Sequence, residues 1–172
     1  GSLGMAGAPA LAGLAALKSG AGLVELAVPE PVAVIAAGFD PCLMVHGLAT
    51  GFTGTFAAAA ADAIMERAAG ASALAVGPGL GRSDEVLALT ARIWRDAPVP
   101  AVFDADALWA IAQSMPDPLA RHAAPRVVTP HAGEMLRLAG RDPSGPDAGD
   151  RDRLANHARV FAALADAVVV LK

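Results

Sequence analysis

A chain of 172 residues is long enough to bury the core of one domain. Its 13 basic and 17 acidic side chains leave a net charge of -4 with no Lys/Arg run, which excludes a nucleic-acid surface held by counter-charge. Apolar residues make up 55%, but Gly, Pro or charged residues interrupt every stretch before it reaches membrane-spanning length.

The opening Gly1-Ser2-Leu3-Gly4-Met5 lacks the charged start and long apolar run of a signal peptide, so the cytoplasm is the expected compartment. Leu11, Leu14, Ala15 and Leu17 recur at helical spacing over residues 8–18, with Pro9 suited to the first turn and Ser19-Gly20 to the stop. Residues 22–28 read as a strand closed by Pro29, and a second short strand is expected near 42–46. Cys42 is the single cysteine, so no intrachain disulfide or Cys-based zinc site can form. A free thiol behaves as a small hydrophobe, and Cys42 is expected to be buried and inert.

The Ala-rich stretch 55–69 predicts a helix, and 72–76 a buried strand running into Gly77-Pro78-Gly79-Leu80-Gly81. Ser83 is placed to cap a helix over 84–96, Pro98 and Pro100 bracket its exit, and strand 101–103 enters Asp104 ahead of a helix near 105–113. Arg126-Val127-Val128 is a short strand feeding Thr129-Pro130-His131-Ala132-Gly133-Glu134, after which Met135, Leu136 and Leu138 predict a helical turn or two. A polar loop over 140–150 precedes a helix over 151–165 with Leu154, Ala158, Phe161 and Leu164, and 167–171 is the last strand, ended by Lys172.

This alternation predicts an α/β fold with a mostly parallel central sheet flanked by helices on both faces, in a single domain without repeats. Ligands of such sheets bind beyond the carboxyl ends of the strands, where loops and helix starts converge. The glycine turn, Asp104-Ala105-Asp106, the Thr129 to Glu134 segment and Lys172 all fall there. The glycine turn either lets a backbone approach an anionic ligand or is a tight strand-to-helix connection, and it is not the G-x-G-x-x-G dinucleotide fingerprint. Asp104 and Asp106 either hold a magnesium ion or a ligand hydroxyl or cap the next helix, and the residues alone favour the cap. His131 can point outward as a hydrogen-bonding or proton-handling group, with Glu134 in a first helical turn. His46, His122 and His157 are expected to be solvated or satisfied in the core. Residues 1–8 place small side chains either against a polar ligand or in a close-packed helix start. Lysine is rare here, yet a lysine ending a strand is ordinarily a solvated charge.

Taken in order, Gly1-Ser2-x-x-Met5-x-Gly7-Ala8, Gly20-Ala21-Gly22-Leu23-Val24, Gly77-Pro78-Gly79-Leu80-Gly81, Asp104-Ala105-Asp106-Ala107-Leu108, Thr129-Pro130-His131-x-Gly133-Glu134 and Leu171-Lys172 resemble the NAD(P)H-hydrate dehydratases, a family with the ribokinase-like α/β fold. The resemblance implies dehydration of hydrated NADH or NADPH. ADP or ATP, with Mg2+, phosphorylates the added hydroxyl, and phosphate then leaves. It implies substrate contacts at Ala8, Gly79 and His131, and an adenine-nucleotide contact at Lys172. On the same resemblance, 1–172 is expected to be a partial domain, lacking a strand before Gly1 and a later Gly-Thr-Gly-Asp segment whose aspartate is the catalytic base. It is therefore expected to be inactive alone, and the full-length protein is expected to be a homo-oligomer. Cys42 stands where many relatives have glutamate. A vitamin-precursor kinase of the same fold, or a non-catalytic nucleotide-binding module, are the competing expectations.

Overall fold

The fold, seen in a computed structural model, is described for residues 1–114, 119 and 121–172. Helix α1 (Gly7–Lys18) leads into β1 (Val24–Pro29), and α2 (Glu30–Ala37) carries the chain to β2 (Leu43–Leu48). The two strands pair in parallel from Val24 opposite Leu43 to Pro29 opposite Leu48. Helix α3 (Ala60–Gly70) then precedes β3 (Leu74–Val76), and β4 (Ala101–Phe103), β5 (Arg126–Val128) and β6 (Val168–Val169) follow. These last strands form a separate four-stranded parallel sheet in the order β3-β4-β5-β6. Parallel neighbours need crossovers, and α4 (Asp84–Asp96), α5 (Asp106–Ser114), α6 (Ala132–Leu138) and α7 (Arg151–Ala165) supply them.

Local chemistry accounts for most of these elements. Ser83 Oγ accepts from Val86 N at 3.2 Å, which caps α4, and Val86, Leu89, Thr90, Ile93 and Trp94 form its buried stripe at helical spacing. Asp150 caps α7 by accepting from Asp152 N and Arg153 N, each at 3.1 Å. The buried faces of α4 to α7 close over Val76, Phe103 and Val128 in one continuous core, while α1, α2, β1 and β2 share a smaller cluster around Val28 and Val32. Among the described residues no helix is long and apolar enough to cross a membrane.

Several expectations need correction. Helix α2 was not expected, because Pro29 read only as the close of the preceding strand. Pro31 lies in its first turn, where the missing N–H costs nothing. The helix expected from 55 begins at Ala60, since Phe56 is buried and forms an antiparallel bridge with Thr50. The expected strand 167–171 shrinks to Val168–Val169. Cys42 is exposed rather than buried. It lies in the turn before β2, where its amide donates to Asp40 Oδ1 at 2.8 Å, so no packed strand face covers it. The Asp40 carboxylate, hydrogen-bonded to the thiol and beside it, raises the thiol above its ordinary value. Thiol reagent is therefore expected to label the native protein at one site per chain, more slowly than a free thiol at the same pH. Labelling only after denaturation would restore the buried reading.

At the opposite end of the larger sheet from the loops, Arg126 is 1% exposed and has no carboxylate partner among the described residues. Its guanidinium donates instead to carbonyls at the end of α4 and just beyond it: Trp94 O at 2.7 Å, Ala97 O at 2.8 Å and Val99 O at 3.1 Å. Positive charge is favoured there by the helix dipole, and the carbonyls are otherwise orphans. Each buried acceptor left bare costs about 1–3 kcal/mol. Arg126→Met is therefore expected to lower unfolding free energy by about 3 kcal/mol, read by urea denaturation; a loss below about 0.5 kcal/mol would contradict this role.

Candidate functional site

The parallel ladder does not stop where the strands do. Asp104 N donates to Val76 O at 3.0 Å, Thr129 N to Phe103 O at 3.1 Å, Val170 N to Val128 O at 2.9 Å and Lys172 N to Pro130 O at 2.9 Å. These bonds set the glycine turn, Asp104, Thr129 and Lys172 side by side beyond the carboxyl edge of the sheet, where sequence reasoning placed them.

The glycine turn is held from both sides. Gly77 has φ +132°, and a Cβ there would overlap the Asp104 carbonyl oxygen. Gly79 has φ +66°, and its Cβ would meet Ala8 Cβ at 2.9 Å and Met5 O at 3.0 Å. The Gly79 carbonyl also accepts from Ser2 N. Two of the residues assigned to substrate by resemblance, Ala8 and Gly79, are thus in direct contact. Only residues without a side chain at the turn permit that approach.

Asp104 and Asp106 serve different partners, and neither reaches back to cap α5 as the sequence favoured. Asp104 Oδ1 accepts from Lys172 Nζ at 2.7 Å and from Ala105 N at 2.8 Å. Asp106 Oδ2 accepts from Gly81 N at 3.0 Å, and its Oδ1 lies 3.4 Å from Arg82 Nε. Ala105 between them has φ +52°, a left-handed backbone that costs a non-glycine residue about 1–3 kcal/mol and persists only where its surroundings impose it. Among the described residues no group of three or more His, Cys, Asp or Glu is gathered to hold a metal ion.

His131 is the N-cap of α6. Its Nδ1 accepts from Gly133 N at 3.1 Å and Glu134 N at 3.4 Å, while Glu134 Oε2 accepts from His131 N at 2.9 Å. Glu134 Oε1 lies 3.3 Å from His131 Nε2. This reciprocal box fixes the ring although the side chain is 56% exposed. A cleft of about 290 Å3 opens between α5 and α6, lined by His131, Asp106, Ala105, Leu108, Glu134, Arg82, Trp109 and Arg137. Ala8, Gly79 and Lys172 lie outside that lining; Gly81 N on Asp106 links the glycine turn to it, and Lys172 is linked through Asp104 and through Pro130.

Arg82, Trp109 and Arg137 carry no sequence motif of their own. The available signal was helical spacing: Trp109 follows Asp106, and Arg137 follows Glu134, each by three residues, which places them on one face. Two of the other histidines are satisfied elsewhere, as expected: His122 Nε2 lies 3.1 Å from both Ala165 O and Asp166 O, and His157 Nε2 lies 3.1 Å from Asp147 Oδ2. His46 departs from that expectation, its Nε2 being buried without a hydrogen-bond partner, 3.1 Å from Glu25 Oε2.

Sheet order, crossovers and site position together define an α/β protein of parallel sheets and flanking helices with its site at the carboxyl edge. A ribokinase-like superfamily protein of Enterococcus faecalis superposes with a TM-score of 0.72 at 22% identity, covering 96% of this chain and 52% of that one, which establishes the fold alone. Residues 1–172 match the family described as NAD(P)H-hydrate dehydratase (Carb_kinase), and the chain belongs to that family. The bifunctional NAD(P)H-hydrate repair enzyme Nnr of Salinibacter ruber is 41% identical over 168 residues, which is 97% of this chain and 30% of that protein. The ADP-dependent (S)-NAD(P)H-hydrate dehydratase of Xanthomonas campestris pv. campestris is 37% identical, over 100% of this chain and 56% of its own length. The ADP/ATP-dependent NAD(P)H-hydrate dehydratase of Bacillus subtilis, co-crystallised with ATP/Mg2+ and soaked with CoA, has a TM-score of 0.70 at 29% identity and covers 100% of this chain and 56% of that one. The chain therefore spans little more than half, or less, of the proteins it matches.

The site's supports differ in energetic weight. Gly77→Ala is expected to lower stability by about 3 kcal/mol or prevent folding, because strain and overlap with Asp104 act together. Asp104→Asn removes an ion pair with side chains 45% and 33% exposed, for which less than about 1 kcal/mol is expected. Chemical denaturation of both variants checks the order, and an equal loss would contradict it.

Proposed function

We propose that this chain supplies the substrate side of an enzyme that dehydrates hydrated NADH or NADPH, with ADP or ATP as phosphoryl donor. One observation carries the proposal: the ladder past the strand ends gathers the glycine turn, the Asp104 to Asp106 loop, the His131 cap and Lys172 along one edge. Phosphoryl transfer depends chiefly on positioned donors and exclusion of water, and a row of rigid loops suits that demand.

In this reading Ala8, Gly79 and His131 contact the hydrated cofactor, and Lys172 contacts the adenine nucleotide. Asp104 holds the Lys172 ammonium at 2.7 Å and so orients it. Asp106 holds the glycine turn through Gly81 N. The hydroxyl oxygen of the hydrate bonds to the terminal phosphorus as the shortened nucleotide leaves. The C–O bond then breaks with its electron pair going to phosphate, and loss of a proton from the adjacent carbon restores the double bond.

The hydroxyl proton needs a base. Asp104 is paired with Lys172, Asp106 with Gly81 N and Arg82, and Glu134 with His131, so none of these carboxylates stands free for that role. We assign the base to the aspartate of the Gly-Thr-Gly-Asp segment expected after Lys172.

The test is recovery of the reduced-nicotinamide absorbance from NADH or NADPH hydrate with ADP or ATP. Full-length protein is expected to restore it and residues 1–172 alone are not. In the full-length protein, His131→Asn keeps an N-cap acceptor but removes the ring, and is expected to lower kcat/KM about tenfold. Phosphorylation of a vitamin precursor with the hydrate untouched would replace this reading with a kinase. Robust turnover by residues 1–172 would overturn the placement of the base.

A further inference from the structure

The cleft between α5 and α6 contains two guanidinium groups and two carboxylates, and their states are unequal. Asp106 accepts from Gly81 N and faces Arg82 Nε, while Glu134 accepts from His131 N and lies 3.3 Å from His131 Nε2. Both carboxylates are thus committed to their own loops. Arg82 meets Asp106 only through Nε, at 3.4 Å, and its side chain is 60% exposed. That contact leaves both Nη groups without a partner among the described residues. Arg137 is exposed and pairs with no carboxylate among the described residues.

Trp109 gives Arg82 a defined plane. The guanidinium carbon stands 5.2 Å from the indole centroid, within cation–π range. With one face stacked and the Nε edge directed to Asp106, the Nη edge is what remains to offer a ligand. Planar guanidinium edges suit phosphate, which accepts two parallel N–H bonds from them. The volume, about 290 Å3, sits at the lower end of the roughly 300–1,000 Å3 of small-molecule sites. The cleft therefore fits one moiety of a dinucleotide and not the whole.

Resting on the dehydratase reading above, we propose that Arg82 and Arg137 bind a phosphate of the hydrated dinucleotide, with Trp109 as the positioning residue that orients Arg82. Two phosphates qualify by chemistry, the bridging pyrophosphate and the 2′-phosphate carried only by the NADP form.

Titration calorimetry of residues 1–172 with NADPH and with NADH separates the outcomes, each variant being checked for folding by circular dichroism. Arg82→Gln and Arg137→Gln are each expected to weaken NADPH binding at least tenfold, and wild-type affinity should fall with added salt. Weakening confined to NADPH assigns the 2′-phosphate; equal weakening of NADH assigns the pyrophosphate. Trp109→Leu should weaken binding in the same nucleotide-selective pattern, and Trp109→Phe should restore most of it. If the folded arginine variants bind both nucleotides as wild type does, the phosphate site is refuted while the dehydratase reading stands. If folded wild type binds neither, the phosphate site is refuted, and the dehydratase reading is decided separately by the absorbance test on the full-length protein.

Discussion

Strands of two or three residues define very little by themselves, and everything at the site depends on the parallel ladder being carried past their ends. A backbone amide bonded to the neighbouring strand's carbonyl fixes the position of a loop residue that no packing would otherwise hold. Asp104, Thr129 and Lys172 are each held in this way, one strand to the next. The sheet is thus less a platform beneath the site than its first layer. Burial of Arg126 at the other edge serves the same end, because it ties the exit of α4 to the start of β5 and so fixes where β5 begins.

Charge is used economically at the carboxyl edge. Asp104, Asp106 and Glu134 are each held by a backbone amide and a cationic or ring partner, so the acidic groups act as braces between loops. The cationic groups are the ones with capacity left over. That asymmetry gives a chain of net negative charge a cleft suited to anions, a local property that overall composition does not reveal.

Much of this was legible in the sequence, for identifiable reasons. Ser83 followed by a clean helical stripe gave α4 its observed limits, and β-branched or apolar triplets next to Gly, Asp or Thr marked β3, β4 and β5. Punctuation misled where it was ambiguous. A proline read as a strand's end disguised the start of α2, and alanine richness extended α3 back over a bridge held by Phe56. The site was legible as a set of loops but not as a set of pairs. That Asp104 meets Lys172, 68 residues away, and that Ala8 packs on Gly79, are consequences of register that no local pattern encodes. Cys42 was misjudged because hydrophobic character describes what a thiol tolerates, not whether the turn holding it has anything to pack against.

The cap on α6 has a chemical consequence for His131. Nδ1 is occupied by two backbone amides of the first turn, so that edge of the ring is closed to a ligand. The helix start therefore decides which edge of the ring is left to the cleft. While α6 remains capped, His131 can meet a ligand only along its Nε2 edge, beside the Glu134 carboxylate.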